Sequence, residues 1–219
     1  MTSPTHERQW FIVGRWQEYD GELRANFLRI VGIGAFYVVE LLNYYGLNLG
    51  FLHLEPVGEN AKFHQVVTLL AAAWAMLALA TLYCLRMRVF PAYLKFVTTG
   101  ADIAFMTGLL MIADGPRSPL VIGYLLVIVL AALRLQLRLV WFATLGTMAG
   151  YLCLLGYVKW FDQRVPNLSV PRYYELIFLI GLALTGIALG QLIRRVRAMA
   201  EDFAKRIAAQ PREAVQGTP

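Results

Sequence analysis

The chain has 219 residues, of which 58% are hydrophobic and only 16% are charged, and these proportions exclude an ordinary soluble domain. The net charge of +6 comes from basic residues that stand beside long apolar stretches. Anionic lipids attract basic residues in that position, so the charge indicates membrane lipids as partners and gives no reason to expect a nucleic-acid partner.

Six apolar stretches separated by short polar segments dominate the sequence. About 20 helical residues cross a hydrocarbon core of roughly 30 Å, and most of these stretches are long enough to do so. The fold class that this pattern predicts is an all-α, polytopic membrane protein with six transmembrane helices. The predicted spans cover residues 27–51, 63–85, 91–113, 120–133, 139–158 and 174–193.

Basic residues are distributed unevenly between the two sets of connecting segments. With the N-terminus in the cytoplasm, fifteen Lys and Arg residues, Arg29 and Arg134 among them, fall in inner segments and five fall in outer ones. Because cytoplasmic segments retain Lys and Arg, we expect both termini to be cytoplasmic. The fourth span looks short, and we expect Arg134 and Arg138 to extend their side chains toward the lipid headgroups to lengthen it.

The segments that flank the predicted six-span domain (residues 27–193) differ from it in composition. Residues 1–26 form a cytoplasmic segment in which aromatic and charged side chains at 10–24 predict a helix lying in the membrane interface. Residues 194–219 form a basic cytoplasmic helix and a short tail. Its Arg194, Arg195 and Arg197 are candidates for lipid or partner contact, and an apolar stripe follows at Leu192, Val196, Met199, Phe203 and Ile207.

Few polar side chains lie deep in the predicted spans. Tyr37, Glu40 and Asn43 share one face of the first span, and Asp102 lies about two turns into the third. A carboxylate facing lipid costs roughly 2.5–3.5 kcal/mol, so we expect Glu40 and Asp102 to face the interior. They form a candidate proton, quinone or cation site, and the alternative is hydrogen bonding between helices that fixes their packing.

Catalytic and metal-binding patterns are weak in this chain. His53 and His64 flank the first external loop without Cys, Asp or Glu at ligand spacing, so we predict no metal site. No nucleophile elbow, phosphate loop or zinc-protease motif occurs, so we predict no catalytic residues and no enzymatic activity.

A turn rich in Gly and Pro joins the third and fourth predicted spans on the outer side. Its residues are Asp114, Gly115, Pro116, Arg117, Ser118 and Pro119. With the basic turn at Arg134 after the next span, it resembles the six-span membrane input regions of bacterial sensor histidine kinases and membrane-anchored nucleotide cyclases. In those regions a Gly-x-x-Ser/Asn-Pro turn joins two spans, and in redox-responsive kinases of photosynthetic bacteria it is associated with quinone sensing.

The resemblance implies that residues 114–119 form a sensing turn, whereas the alternative is an ordinary turn between two helices. The sequence departs from those families because we expect no kinase or cyclase domain after the last span. No cofactor is predicted, and quinone or pigment is the ligand to consider.

Three functions are compatible with this pattern, all in a multi-pass protein of the bacterial inner membrane. The first is a non-enzymatic, sensor-like input module that acts through other membrane proteins or a homo-oligomer. The second is a structural accessory subunit of a respiratory or photosynthetic complex, which would suit a small chain with few buried polar groups. The third is a small transporter that uses Glu40 and Asp102 along one water-accessible path.

Overall fold

Long apolar runs fold as helices throughout the described part of the chain. The computed structural model describes residues 4–48, 53–54, 61–87, 91, 93–160 and 170–216, and it describes the backbone alone for 4–18, 47–48, 53–54, 205 and 207–216. Its helices are α1 (Pro4–Tyr45), α2 (Ala61–Arg86), α3 (Leu94–Ile112), α4 (Gly123–Ala132), α5 (Leu137–Trp160) and α6 (Arg172–Gln216). Two 3-10 turns, Gly115–Arg117 and Pro119–Ile122, precede α4.

Strand structure is confined, in the described residues, to a short antiparallel ladder after α1. Strand β1 (Leu47–Asn48) pairs with β2 (His53–Leu54), with Leu47 opposite Leu54. Gly46 ends α1 at a φ of 71°, where its N–H donates to the Leu42 carbonyl at 2.9 Å. Glycine adopts this left-handed conformation without the Cβ penalty, so the chain reverses there.

Five helices are long and apolar enough to cross a membrane. Counted in the described residues, these segments are Tyr19–Tyr45, Ala61–Arg86, Leu94–Ile112, Leu137–Trp160 and Arg172–Ala204. The sixth apolar segment, Pro119–Ala132, is shorter than the roughly 20 residues that a perpendicular span needs. Apolar side chains such as Leu69 (72% exposed) and Ile177 (62% exposed) cover the outer surface. Surfaces of this kind suit lipid. The described part of the chain confirms the all-helical class, with five helices long and apolar enough to span a membrane.

Helix α5 occupies the centre of the bundle, where it contacts α3, α4 and α6, while α1 packs on α2 and α2 on α3. Met106, Tyr124, Ile128 and Leu154 belong to the buried core between these helices. Small residues permit the close approach of α5 to α3, since a Cβ at Gly150 would lie 2.8 Å from Thr107 Oγ1. Gly146 and Gly150, four residues apart on α5, therefore allow the two helices to pack closely.

The two terminal helices differ from the predicted boundaries. Helix α1 has 42 residues and continues unbroken through residue 27. The sequence predicts that a separate interfacial helix ends before this residue and that the first span begins there. Helix α6 has 45 residues and continues from the apolar segment through Arg194, Arg195 and Arg197, which are exposed. At 1.5 Å per residue each helix is over about 60 Å long, so both extend beyond a hydrocarbon core. Ile207 lies where only the backbone is described.

Candidate functional site

A cavity of about 390 Å³ opens between α1, α2, the end of α3 and the turn that follows it. This volume lies in the range of small-molecule binding sites. We call it the α1–α2 cavity. Polar and aromatic residues interrupt its apolar lining, and those that matter for its chemistry are Tyr37, Glu40, Asn43, Trp74, Asp114 and Ser118.

The polar side chains of α1 reach the α1–α2 cavity and bind partners on α2. The Tyr37 hydroxyl lies 3.2 Å from Thr68 Oγ1, and Glu40 Oε1 lies 3.4 Å from His64 Nδ1. The His64 ring stacks on Tyr44 with its centroid 4.0 Å away and 13° between the planes. Glu40 thus has a basic partner 24 residues further along the chain, which sequence proximity does not indicate.

The turn at 114–119 contributes to two cavities. Asp114, Ser118 and Pro119 line the α1–α2 cavity, whereas Pro116 and Arg117 line a second cavity beside α5 and α6. Gly115 is buried at a φ of 59°, and the Ser118 hydroxyl accepts a hydrogen bond from Leu120 N–H at 3.3 Å. The structure therefore brings part of the predicted sensing turn together with Tyr37, Glu40 and Asn43.

Asp102 does not join this group, because it belongs to a buried ion pair. Arg29 donates from Nε to Oδ1 at 2.8 Å and from Nη2 to Oδ2 at 2.7 Å, and both side chains are almost fully buried. Arg29 Nη1 also donates to Asn26 Oδ1 at 2.7 Å, and Asn26 Nδ2 donates to the Ala78 carbonyl at 3.0 Å. These bonds join α1 to α2 and α3.

A second buried ion pair joins α1 to the turn between α4 and α5. Arg134 Nη2 donates to Glu22 Oε1 at 2.7 Å, and Nη1 donates to Thr99 Oγ1 at 2.6 Å and to the Lys95 carbonyl at 3.0 Å. Burial lowers the pKa of the Arg134 guanidinium, and the Glu22 carboxylate opposes that change. An arginine keeps its proton under both influences, so Arg134 remains positively charged.

Two expectations about arginine are wrong. Arg29, assigned to an inner polar segment, is 2% exposed inside the bundle, and Arg134, expected to extend toward the headgroups, is 6% exposed. Arg134 faces inward because Glu22 and Thr99 accept its hydrogen bonds there, next to the backbone turn at Leu135, whose φ is 52°. Arg138, four residues later, is exposed.

Trp74 is the residue that connects the α1–α2 cavity to the first ion pair. Its side chain lines the cavity, its ring stacks on Phe105, and its indole N–H donates to Asp102 Oδ1 at 2.9 Å. Asp102 therefore accepts bonds from Arg29 and Trp74 together. Sequence reasoning missed both partners, since they lie 73 and 28 residues away.

One sequence signal could have revealed this arrangement. Polar or ring-bearing residues recur on α1 at three- and four-residue intervals, interrupted by Ile33. This stripe, which we call the α1 polar stripe, comprises Glu22, Asn26, Arg29, Tyr37, Glu40 and Tyr44. Placing the start of the span at residue 27 divided the stripe and concealed its continuity.

The remaining candidate residues do not form a metal centre in the described part of the chain, where no group of three or more His, Cys, Asp and Glu side chains converges. His53 has only its backbone described.

These features define an all-helical protein with several apolar helices of membrane-spanning length and an amphipathic cavity beside buried ion pairs. No protein-family model matches the chain, and neither the curated proteins nor the solved structures contain a significant match.

Proposed function

We propose that this protein is a non-enzymatic, sensor-like membrane module that binds a small amphipathic ligand and signals through protein partners. The observation that carries the proposal is the shared α1–α2 cavity. Two groups singled out independently in the sequence, the polar face at Tyr37 and Glu40 and the turn at Asp114 and Ser118, line it together.

In this proposal the effect of ligand binding reaches α1 through the buried hydrogen bonds of Trp74 and Asp102. A ligand against Trp74 would perturb the indole bond to Asp102 and, through Arg29, the position of α1. Helix α6 supplies the surface for partners, because Val196, Met199 and Phe203 are exposed on its extension beyond the bundle core. The basic side chains Arg194 and Arg195 near that extension suit anionic lipids or an acidic partner.

Location and orientation are part of the same proposal. The distribution of Lys and Arg supports cytoplasmic termini. The resemblance of the turn at 114–119 to bacterial sensor kinase input regions supports a bacterial inner membrane, with quinone or pigment among the ligands to consider.

A cavity-filling variant tests the ligand-binding proposal. Ala71→Phe places a ring in the α1–α2 cavity, and Ala80→Phe places the same ring on the exposed face of α2 as a matched control. Native mass spectrometry and an absorption spectrum of the protein purified from its own membrane are the measurements. We expect a small-molecule adduct in the wild type and in Ala80→Phe that is absent from Ala71→Phe. An adduct unaffected by Ala71→Phe would contradict the proposal.

An accessory subunit of a respiratory or photosynthetic complex is the second candidate function. The exposed apolar side chains Val196, Met199 and Phe203 of α6 favour it, since a subunit also needs a surface for partners. The same purification separates the two. Stoichiometric redox or pigment-binding subunits would establish the accessory role, whereas a colourless homo-oligomer or a bound regulatory kinase or cyclase would support the sensor.

Transport is the least supported proposal, because Asp102 binds Arg29 and does not line the cavity with Glu40. It predicts that Glu40→Gln or Asp102→Asn abolishes the flux per folded protein, and retained flux per folded protein in both variants would end it.

A further inference from the structure

Among the described residues that line the α1–α2 cavity, the charged side chains are all acidic. Glu40 and Asp114 contribute carboxylates to its lining, and the described lining residues include no Lys, Arg or His. The nearby cations lie elsewhere: Lys62 is exposed on α2, and Arg117 lines the second cavity. His64 stands behind Glu40, held by that carboxylate and by the Tyr44 ring.

Aromatic rings supply the rest of the recognition surface. Phe36, Tyr37, Phe63 and Trp74 line the same cavity as the two carboxylates. The faces of aromatic rings attract cations, more strongly when water is excluded, and this attraction is the usual way in which proteins bind organic ammonium groups. Carboxylates near a low-dielectric environment gain most from a positive ligand, since Coulomb attraction strengthens as the dielectric constant falls.

From this combination we infer that the α1–α2 cavity selects an amphipathic organic cation, with its charged centre near Glu40 and Asp114 and its apolar body against the aromatic rings. The inference rests on the proposed function, because it names the ligand class of the proposed sensor. A neutral ligand would gain no Coulomb attraction from the two carboxylates, and an anion would be repelled by both.

Two near-isosteric ions of opposite charge provide the sharpest test. Tetraphenylphosphonium is the cationic probe, and tetraphenylborate is the anionic control of the same shape. Titration calorimetry on the full chain in nanodiscs of zwitterionic lipid measures binding, and empty nanodiscs measure partition into the lipid. We expect saturable binding of the cation and none of the anion.

Variants assign the binding to this cavity. Glu40→Gln should weaken tetraphenylphosphonium binding by about tenfold or more, because it removes a charge and keeps the shape. Glu201→Gln on the exposed extension of α6 is the matched control and should leave binding unchanged. If Glu40→Gln fails to fold, Asp114→Asn at the exposed edge of the cavity serves instead and should also weaken binding.

Different results separate this inference from the proposed function. Equal binding of the two ions, or unchanged cation binding in both carboxylate variants, would overturn the selection of a cation. Saturable binding of neutral decylubiquinone without cation binding, abolished by Ala71→Phe, would overturn it and leave the ligand-binding module intact. The absence of binding by all three probes, together with no native adduct, would overturn both.

Discussion

At the scale of single residues, two buried ion pairs join α1 to distant parts of the chain. Arg29 and Asp102 form a two-point contact, and Arg134 and Glu22 form a second. Both pairs carry further hydrogen bonds that satisfy most of their polar atoms. A buried ion pair owes its stability to such bonds, because desolvation offsets much of the Coulomb attraction.

Removing one charge of the first pair should therefore destabilise the protein more than replacing both residues with apolar ones. We expect Asp102→Asn to lower the free energy of unfolding by about 3–5 kcal/mol, since it leaves the Arg29 guanidinium buried without a counter-charge. Thermal unfolding in detergent, followed by size-exclusion chromatography, is the measurement. The double variant Arg29→Leu/Asp102→Leu should recover much of the loss, and a double variant as unstable as the single one would contradict this account.

The second pair predicts that lysine cannot replace arginine at position 134, although it can at the exposed position 138. Arg134 divides its bonds among Glu22, Thr99 and the Lys95 carbonyl, which one ammonium group cannot reproduce. Arg134→Lys should lower the unfolding temperature, whereas Arg138→Lys, on an exposed side chain, should not. Equal melting temperatures for the two variants would show that the Arg134 network contributes little.

At the scale of helices, the predicted boundaries were accurate where they depended on the length of an apolar run. Helices α2, α3 and α5 begin and end within about three residues of the predicted spans, because hydrophobic length determines them. The ends of α1 and α6 were not predictable in that way, since polar residues continue a helix as well as end one. Arg29 was misassigned because its partner, Asp102, is 73 residues away, and the α1 polar stripe indicates which face of α1 is polar without identifying that partner.

The contact between α5 and α6 depends on a glycine. A Cβ at Gly186 would overlap the side chain of Thr144, whereas a Cβ at Gly181 would have nothing within 4 Å. Gly186→Ala should destabilise the protein by about 1–3 kcal/mol through overpacking, and Gly181→Ala should not. Comparison of the two melting curves in the same detergent tests this. If Gly186→Ala leaves the melting temperature unchanged, α5 and α6 can move apart without loss of stability.

At the scale of the whole molecule, the candidate site could be predicted only in part. Glu40 and the turn at 114–119 were recognisable because polar groups and prolines are rare in apolar runs. Their meeting in one cavity was not, since it depends on how α1, α2 and α3 pack. Trp74 lies within the second predicted span and His64 at its start, and only the fold shows that one binds Asp102 and the other Glu40.

Orientation is a property of the whole chain and can be tested directly. In a variant without Cys84 and Cys153, single cysteines replace Lys62 or Arg206, both of which are exposed. A membrane-impermeant maleimide applied to intact cells should label Lys62→Cys and leave Arg206→Cys unlabelled until the cells are permeabilised. The reverse pattern would place the termini outside and reject the orientation inferred from the basic residues.

The α1 polar stripe also constrains how the molecule is made. Arg29 enters the membrane 73 residues before Asp102 is synthesised, and Glu22 precedes Arg134 by 112 residues. An unpaired charge costs roughly 2.5–3.5 kcal/mol in a hydrocarbon core, so α1 is less stable beside lipid before its partners are made than after it pairs with them. We therefore expect α1 to settle into its final position only after α3 and the α4–α5 turn have been synthesised, because its buried charges find their partners there.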